Sequence, residues 1–198
     1  MYAAFEYLQQ GGWIMWPLGL CSMAMWALII DRLIDLYKIE HNDISIVEAL
    51  SVVRGELKPS NLVGVHALLS KNISNALTGN PEVDHNLVHH CSSTIKPYLR
   101  QSLAVIAILA GIAPLLGLLG TVIGMIETFD VISLFGTGNA RAMAGGISVA
   151  MVTTQSGLLV AIPGMLFSGY LFRSARRLEN YVDETASVLQ RAVRGGLV

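Results

Sequence analysis

Three long stretches of the chain contain no aspartate, glutamate, lysine or arginine. They cover residues 7–30, 101–126 and 142–172, which are 24, 26 and 31 residues long. An α-helix of about 20 mainly apolar residues is long enough to cross a bilayer. The pattern therefore predicts an all-α integral membrane protein with three transmembrane helices, of which the second and third are joined by a short loop.

Basic residues are distributed unevenly around these stretches. Seven lie between residues 31 and 100 and five after residue 172, whereas the loop after the second stretch has only Arg141 and none precedes the first. Because lysine and arginine are enriched on the cytoplasmic side, this distribution places 31–100 and the tail in the cytoplasm. The predicted segments are a periplasmic N-terminus (1–12), transmembrane helix 1 (13–33), a cytoplasmic helical segment (34–99), transmembrane helix 2 with a cytoplasmic extension (100–135), a periplasmic loop (136–143), transmembrane helix 3 (144–172) and a cytoplasmic C-terminal helix (173–198).

The first stretch could also be a secretory signal. No basic segment precedes it, no convincing cleavage site follows it, and Asp31 and Arg32 end it directly. We therefore expect a retained membrane anchor. Trp13, Trp16 and Trp26 near its two ends fit the aromatic belt of a membrane interface.

The cytoplasmic segment is too small to predict a separate enzyme domain. Residues 45–53 and 62–69 have the pattern of short amphipathic helices, and glycines and prolines interrupt the segment between them. About 60 residues is little for an independent core. In the tail, apolar residues recur at helical spacing from 178 to 192, which predicts a continuation of the third helix.

Composition narrows the possible functions. The chain is 53% hydrophobic and only 14% charged, with a formal net charge of −1, so nothing favours a nucleic-acid partner. Cys21 and Cys91 lie in an apolar and a polar stretch, and we expect no disulfide. His85, His89 and His90 lie beside Cys91, but without the spacing of a zinc site, so a solvated helix surface is the favoured interpretation. We predict no cofactor.

Small and hydroxyl-bearing residues recur on one face of each of the second and third predicted helices. Two interpretations remain open. Small residues let helices pack closely in lipid, whereas a cluster of hydroxyls on two adjacent helices can line a hydrated proton path. The face of helix 2 has Pro114, Gly117, Thr121, Gly124 and Thr128, and that of helix 3 has Ala150, Thr154, Gly157, Ala161, Gly164 and Ser168.

Glu127 and Asp130 are the acids nearest to the apolar part of the second helix. If that helix ends at Ile126, both lie at the outer interface. If it continues through residues 131–135, Glu127 lies about 12 Å below its outer end, at 1.5 Å per residue. An ionisable group at membrane depth indicates a function, so Glu127 is a candidate for the proton path together with Thr121 and Thr154.

An intramembrane protease and a passive scaffold are two other classes of membrane protein. An intramembrane serine protease needs a nucleophile and a base at membrane depth, and all five histidines lie between His41 and His90, outside every predicted span. A paired-aspartate protease has no better support. A passive membrane scaffold remains an alternative, and it should tolerate loss of both candidate threonine hydroxyls.

Two segments carry a resemblance to a known family. Residues 113–125 (APLLGLLGTVIGM) are similar to the second-helix signature of the ExbB/TolQ/MotA proton channels, and residues 145–154 (GGISVAMVTT) with 157–164 (GLLVAIPG) resemble their third-helix signature. The order of the two signatures and the three-span layout agree as well. The layout is most similar to ExbB, nearly as similar to TolQ, and less so to MotA, which usually has four spans and a larger cytoplasmic domain.

The resemblance implies an assembly and a mechanism. It implies a homopentamer whose second and third helices line a pore, a dimer of an ExbD-like single-span partner inside that pore, and a TonB-like protein that receives the work for outer-membrane transport; TolQ-like envelope maintenance is the alternative. By position, Thr121 and Thr154 match the pore threonines, and Pro163 matches the proline of the third helix. The expected packing residues are Pro114, Gly117, Gly124, Gly157, Ala161 and Pro163.

The chain departs from the family pattern at one position of the third helix. Many ExbB proteins have a glutamate five residues before the third-helix threonine, and Val149 occupies that position here. The acid is then dispensable, or Glu127 or the partner supplies it.

Overall fold

The computed structural model is all-helical over the residues that it describes. These are residues 10–41 and 81–194, together with positions 51, 64, 66, 69, 72 and 73. The long helices are α1 (Met15–His41), α2 (Pro81–Arg100), α3 (Leu103–Phe135) and α4 (Ala140–Arg194). Most of the amphipathic helices predicted at 45–53 and 62–69, and most of the predicted N-terminal segment, lie outside the described residues.

Three stretches of helix are long and apolar enough to cross a membrane, as the charge-free runs predicted. They are Met15–Ile39, Asn86–Phe135 and Ala140–Arg191. Large apolar side chains are exposed along all three, for example Leu20, Leu115 and Leu159, at 68%, 62% and 74%. Surface of this kind is suited to lipid or to other membrane helices rather than to water.

The chain divides into two compact units. The first, called here the apolar unit, comprises Met1–Ile30 and Ala104–Gly169; the second, called the charged unit, comprises Asp31–Leu103 and Tyr170–Val198. The continuous helices α1 and α4 therefore each contribute to both units.

In the apolar unit, α1 packs on α3 and α4 through buried apolar side chains. Met15 and Leu18 form a cluster with Ala113 and Ala161. The Cys21 thiol lies 3.6 Å from the carbonyl oxygen of Leu109. The ring of Trp26 meets Phe167 edge to face, with centroids 5.5 Å apart. These contacts fix α1 along one side of the other two helices.

The connection between α3 and α4 has well-formed ends. Gly136 follows α3 with a φ of 69°, and its N–H donates to the carbonyl of Ile132 at 2.9 Å, which is the left-handed glycine cap typical of helix C-termini. Asn139 precedes α4, and its side-chain oxygen accepts a hydrogen bond from the N–H of Ala142 at 3.2 Å. This is an N-cap. The loop is therefore short because both helices stop at residues suited to ending them.

In the charged unit, ion pairs join α2 to the second half of α4. Arg100 donates to the carboxylate of Glu179 through both Nε and Nη2, the latter at 2.6 Å. Lys96 pairs with Asp183 at 2.7 Å. The Glu179 side chain is only 9% exposed, whereas that of Asp183 is 57% exposed. The bidentate Arg100 pair therefore neutralises a nearly buried charge.

The junction between α2 and α3 also lies in the charged unit. Ser102 has a φ of 64°, a left-handed conformation that ends one helix before the next begins. Arg32 of α1 is buried; its guanidinium lies 3.4 Å from the Ser102 hydroxyl, 3.6 Å from the Asp35 carboxylate and 6.0 Å from the centre of the Tyr98 ring. Arg32, the first basic residue after the first charge-free run, is thus a structural residue of this junction.

Candidate functional site

Helices α3 and α4 approach each other through small residues in the apolar unit. A Cβ atom added at Gly117 would lie 3.0 Å from the carbonyl oxygen of Thr153, and one added at Gly157 would lie 2.8 Å from that of Ala113. Neither position has room for a methyl group. The two helices therefore pack backbone against backbone, which favours association in lipid through van der Waals contact.

On α3, this contact shares Gly117 and Gly124 with the face predicted from the sequence but is turned toward Ala113 and Gly120. Ala113 and Gly120 are buried there, whereas Pro114 and Thr121 are half-buried at its margin. Gly120 was missed, although a Cβ added to it would collide with the side chain of Thr153. The signal was present, because residues 113, 117, 120 and 124 are also small and also at helical spacing.

On α4, the contact includes two predicted packing residues and two that sequence reasoning did not select. Gly157 faces Ala113 and Gly117, and Ala161 belongs to the cluster with Met15 and Leu18. Gly146 and Thr153 were not selected. Ala150 of α4 also belongs to the contact, where it lies against Gly124 of α3, and Thr128 of α3 lies against Gly146. Pro163, another predicted packing residue, lies half-buried within α4.

The hydroxyl groups of both helices donate to carbonyl oxygens of their own backbone. Thr121 donates to Leu118 at 2.7 Å and Thr154 to Ala150 at 3.0 Å. The fully buried Thr153 lies 2.8 Å from the carbonyl of Val149. This is the usual bond of a threonine inside a helix. Each hydroxyl oxygen retains its capacity to accept a hydrogen bond from a group outside the helix.

Thr121 and Thr154 line the same groove, although they come from different helices. The groove has a volume of about 510 Å³. We call it the threonine groove. Its lining residues are Thr121, Ala150, Met151, Thr154, Gln155 and Leu158.

Glu127 does not line the threonine groove. It lines a second groove of about 430 Å³, called here the Glu127 groove, which also contains Val149. The valine at the position of the family's usual acid and the glutamate on the neighbouring helix therefore border one space. The described residues that line it are Gln10, Glu127, Val131, Ala142, Gly145, Gly146, Ser148 and Val149.

The two grooves flank the α3–α4 contact on opposite sides. Each residue of an α-helix is turned by about 100° from the one before. Thr121 is one step beyond the buried Gly120, and Glu127 is three steps beyond the buried Gly124, so the two side chains turn away from the contact in opposite directions. Gln10, which precedes α1, lines the Glu127 groove, and no residue of α1 lines the threonine groove.

The part of the chain that the structure describes contains no group of histidine, cysteine, aspartate and glutamate able to hold a metal ion. His89 and His90 are exposed on α2. Cys21 and Cys91 are free thiols. The polar grooves of the apolar unit are therefore the candidate site.

These features define a class of protein: a membrane protein with three spanning helices, two of them packed backbone to backbone, and with polar residues on both sides of their contact. Residues 63–184 match the model of the MotA/TolQ/ExbB proton channel family. The match covers more than half of the chain. The protein belongs to this family, whose description is that of a proton channel and not of an enzyme.

Relatives bearing the name ExbB align over most of the chain. The biopolymer transport protein exbB1 of Vibrio cholerae serotype O1 is 30% identical over 200 residues, which cover 88% of this chain and 85% of the relative. The ExbB protein of Neisseria meningitidis serogroup A is 28% identical over 185 residues, 84% of each chain. The ExbB protein of Aquifex aeolicus is 40% identical over 78 residues, which cover 39% of this chain and 53% of the relative. These relatives support an ExbB-like energy-transducing role.

Proposed function

We propose that this protein is a subunit of an inner-membrane proton channel that converts proton-motive force into mechanical work for TonB-dependent outer-membrane transport. The similarity to proteins named ExbB, which covers 84–88% of the chain, supports the choice of system. The threonine groove is the observation that carries the mechanism, because it brings hydroxyls of two helices, and the amide of Gln155, into a groove whose other lining residues are apolar.

The threonine groove has the geometry of a site that meets a partner. Thr121 and Thr154 border it from α3 and α4, and α1 contributes nothing to its lining. In our proposal a further membrane helix meets the groove on this flank. Since both hydroxyls donate to their own backbone, their oxygens are suited to accept a hydrogen bond from water or from an acid on that helix.

The proposed partners are those that the resemblance to the family implies. In our proposal five copies of the chain surround a pore lined by α3 and α4, and an ExbD-like dimer inside the pore presents an acid to Thr121 and Thr154. A TonB-like protein receives the movement. The N-terminus is periplasmic and the C-terminus cytoplasmic, which agrees with the distribution of basic residues.

The energy available is sufficient for mechanical work without bond chemistry. One elementary charge that crosses 100 mV releases about 2.3 kcal/mol. Several protons per step would drive a rearrangement between subunits and partner. The backbone-to-backbone contact of α3 and α4 would keep the wall of the pore rigid while the partner moves.

The test is growth on an iron chelate whose uptake depends on TonB. A strain that lacks the gene is complemented with the wild type or with Thr121→Val/Thr154→Val, a nearly isosteric double change that removes both hydroxyls from the groove. Two matched controls are needed at equal membrane levels. Ser156→Ala removes a hydroxyl of α4 that does not line the groove, and Thr121→Ser/Thr154→Ser keeps both hydroxyls.

We expect the wild type and both controls to restore growth and the valine double variant to fail. Growth of the valine variant at the wild-type rate would show that the two threonines serve packing only. If the deletion strain itself grows normally on the chelate, the role in TonB-dependent uptake is wrong, and sensitivity of the envelope to detergents would test the TolQ-like alternative.

A further inference from the structure

Glu127 lies within α3, directly after its charge-free run. The helix continues to Phe135, so Glu127 is eight residues, or about 12 Å, from its end. Its exposed neighbours on the helix are the apolar Ile126 and Phe129 and, three residues further on, the acidic Asp130. Exposed apolar surface of this kind is suited to lipid or to another membrane helix.

The Glu127 groove offers polar groups but no opposite charge. Ser148 and Gln10 are its other polar side chains, and Gly145 leaves open space in the lining, because a Cβ added there would meet no heavy atom within 4 Å. Glu127 is the one ionisable residue in its described lining. The charged residues that come next along the two helices, Asp130 on α3 and Arg141 on α4, do not line it.

No basic residue is among the described residues that line this groove, so an ionised Glu127 has no opposite charge beside it. An unpaired charge within a membrane-spanning helix is costly. Binding one proton neutralises the carboxylate. A groove of about 430 Å³ has room for several water molecules, which can deliver the proton and carry it away. The residue therefore has the properties of a reversible proton carrier.

We propose that Glu127 takes up and releases a proton in this groove, as a second station of the proton path that is separate from Thr121 and Thr154. The step is simple: the carboxylate accepts a proton from a hydrated proton in the groove, and it returns that proton to water when the path empties. This inference rests on the proposed channel function, and it adds a protonatable site on the α1 flank.

The two stations cannot be one site. The Glu127 groove lies on the flank that includes Gln10, and the threonine groove lies on the other, with the α3–α4 contact between them. Gly117, Gly124 and Gly157 close that contact to water, because even a methyl group does not fit. A proton that visits both stations within one subunit must therefore pass around the contact, near the end of the helix pair.

The first test is chemical and does not depend on transport. Membranes that contain the full chain and its single-span partner are treated with dicyclohexylcarbodiimide, which reacts with protonated carboxyl groups that it reaches through lipid, and the adducts are located by peptide mass spectrometry. We expect an adduct on Glu127 whose yield falls as the pH is raised. Asp130 is an internal control on the same helix, and it should remain largely unmodified.

The same labelling separates the two stations. In Thr121→Val/Thr154→Val membranes the adduct on Glu127 should form to the same extent as in the wild type, because the threonines line a different groove. Absence of the adduct on Glu127, or an equal yield on Asp130 at every pH, overturns the proposal.

The second test is functional and uses the growth assay described above. Glu127→Gln should reduce growth to the level of the deletion strain, Glu127→Asp should retain a substantial part of it, and Asp130→Asn should grow like the wild type. If Glu127→Gln grows normally while the threonine double variant fails, the proton station at Glu127 is refuted and the channel function stands. If the deletion has no phenotype, the uptake role fails, and the labelling result alone decides on Glu127.

Discussion

Replacing Gly157 by alanine should separate α3 and α4 and lower the stability of the protein. The added Cβ would lie 2.8 Å from the carbonyl oxygen of Ala113 and 3.1 Å from the Cα of Gly117. Both are backbone atoms of a helix, so neither can move aside by changing a rotamer. A carbon atom approaches a carbonyl oxygen to about 3.3 Å at closest, and the helices must therefore move apart by about half an ångström at this level.

The expected cost is that of overpacking a closely packed core, about 1–3 kcal/mol. The measurement is the midpoint of thermal denaturation of the purified protein in detergent, followed as the native species that remains on size exclusion after heating. Gly111→Ala is the matched control: it lies in α3, and a Cβ added there meets no heavy atom within 4 Å. The control should stay within about 0.5 kcal/mol of the wild type.

A midpoint for Gly157→Ala as high as that for Gly111→Ala would refute the backbone-to-backbone contact. The midpoint of Gly117→Ala adds information on which pair of residues is closest. If Gly157→Ala melts lower but Gly117→Ala does not, the closest approach lies nearer to Ala113 than to Thr153. The prediction therefore tests the register of the two helices as well as their separation.

Two further predictions use the same heating assay. Asn139→Ala should destabilise the protein by about 1 kcal/mol, because α4 loses its N-cap, and Asn139→Asp should not; equal midpoints for the two variants would contradict the capping role. Arg100→Gln should lower the midpoint more than Lys96→Gln does, because the first leaves the nearly buried Glu179 carboxylate without its bidentate partner, whereas Asp183 is largely solvated. Similar midpoints would show that burial of Glu179 contributes nothing.

The three membrane helices could be predicted from the sequence because lipid imposes a strong constraint. A backbone inside a bilayer must satisfy its own hydrogen bonds, so a long charge-free run has few alternatives to a helix. The structure has helices with membrane length and composition over all three runs. The continuation of α3 to Phe135 was one of two open alternatives. Sequence reasoning did not decide it, because residues 131–135 are apolar while Glu127 and Asp130 before them are not.

The packing register could not be predicted in the same way. On α3 the small residues form two faces that share Gly117 and Gly124. One face adds Pro114 and Thr121 and the other adds Ala113 and Gly120, and these added positions lie about 100° apart around the helix. A single helix does not reveal which face its neighbour uses. The structure buries the second face and leaves Thr121 at its margin. A threonine at the margin is accessible to a partner, which a residue at the centre of the contact would not be.

The separation of Glu127 from the two threonines also has a physical reason that a linear pattern does not show. Glu127 and Thr121 are six residues apart, which on a helix amounts to about 120°, and the closed glycine contact occupies the space between these directions. The polar groups of the helix pair therefore lie on two sides of the closed α3–α4 contact, and one of these sides includes Gln10, from the segment that precedes α1. A proton path that used both sides would have to pass an end of the α3–α4 contact, because water cannot cross the closed middle of that contact. For that reason, substitutions that widen the glycine contact should affect proton leakage as well as stability, and the smallest added side chain at Gly157 is the most direct way to open it.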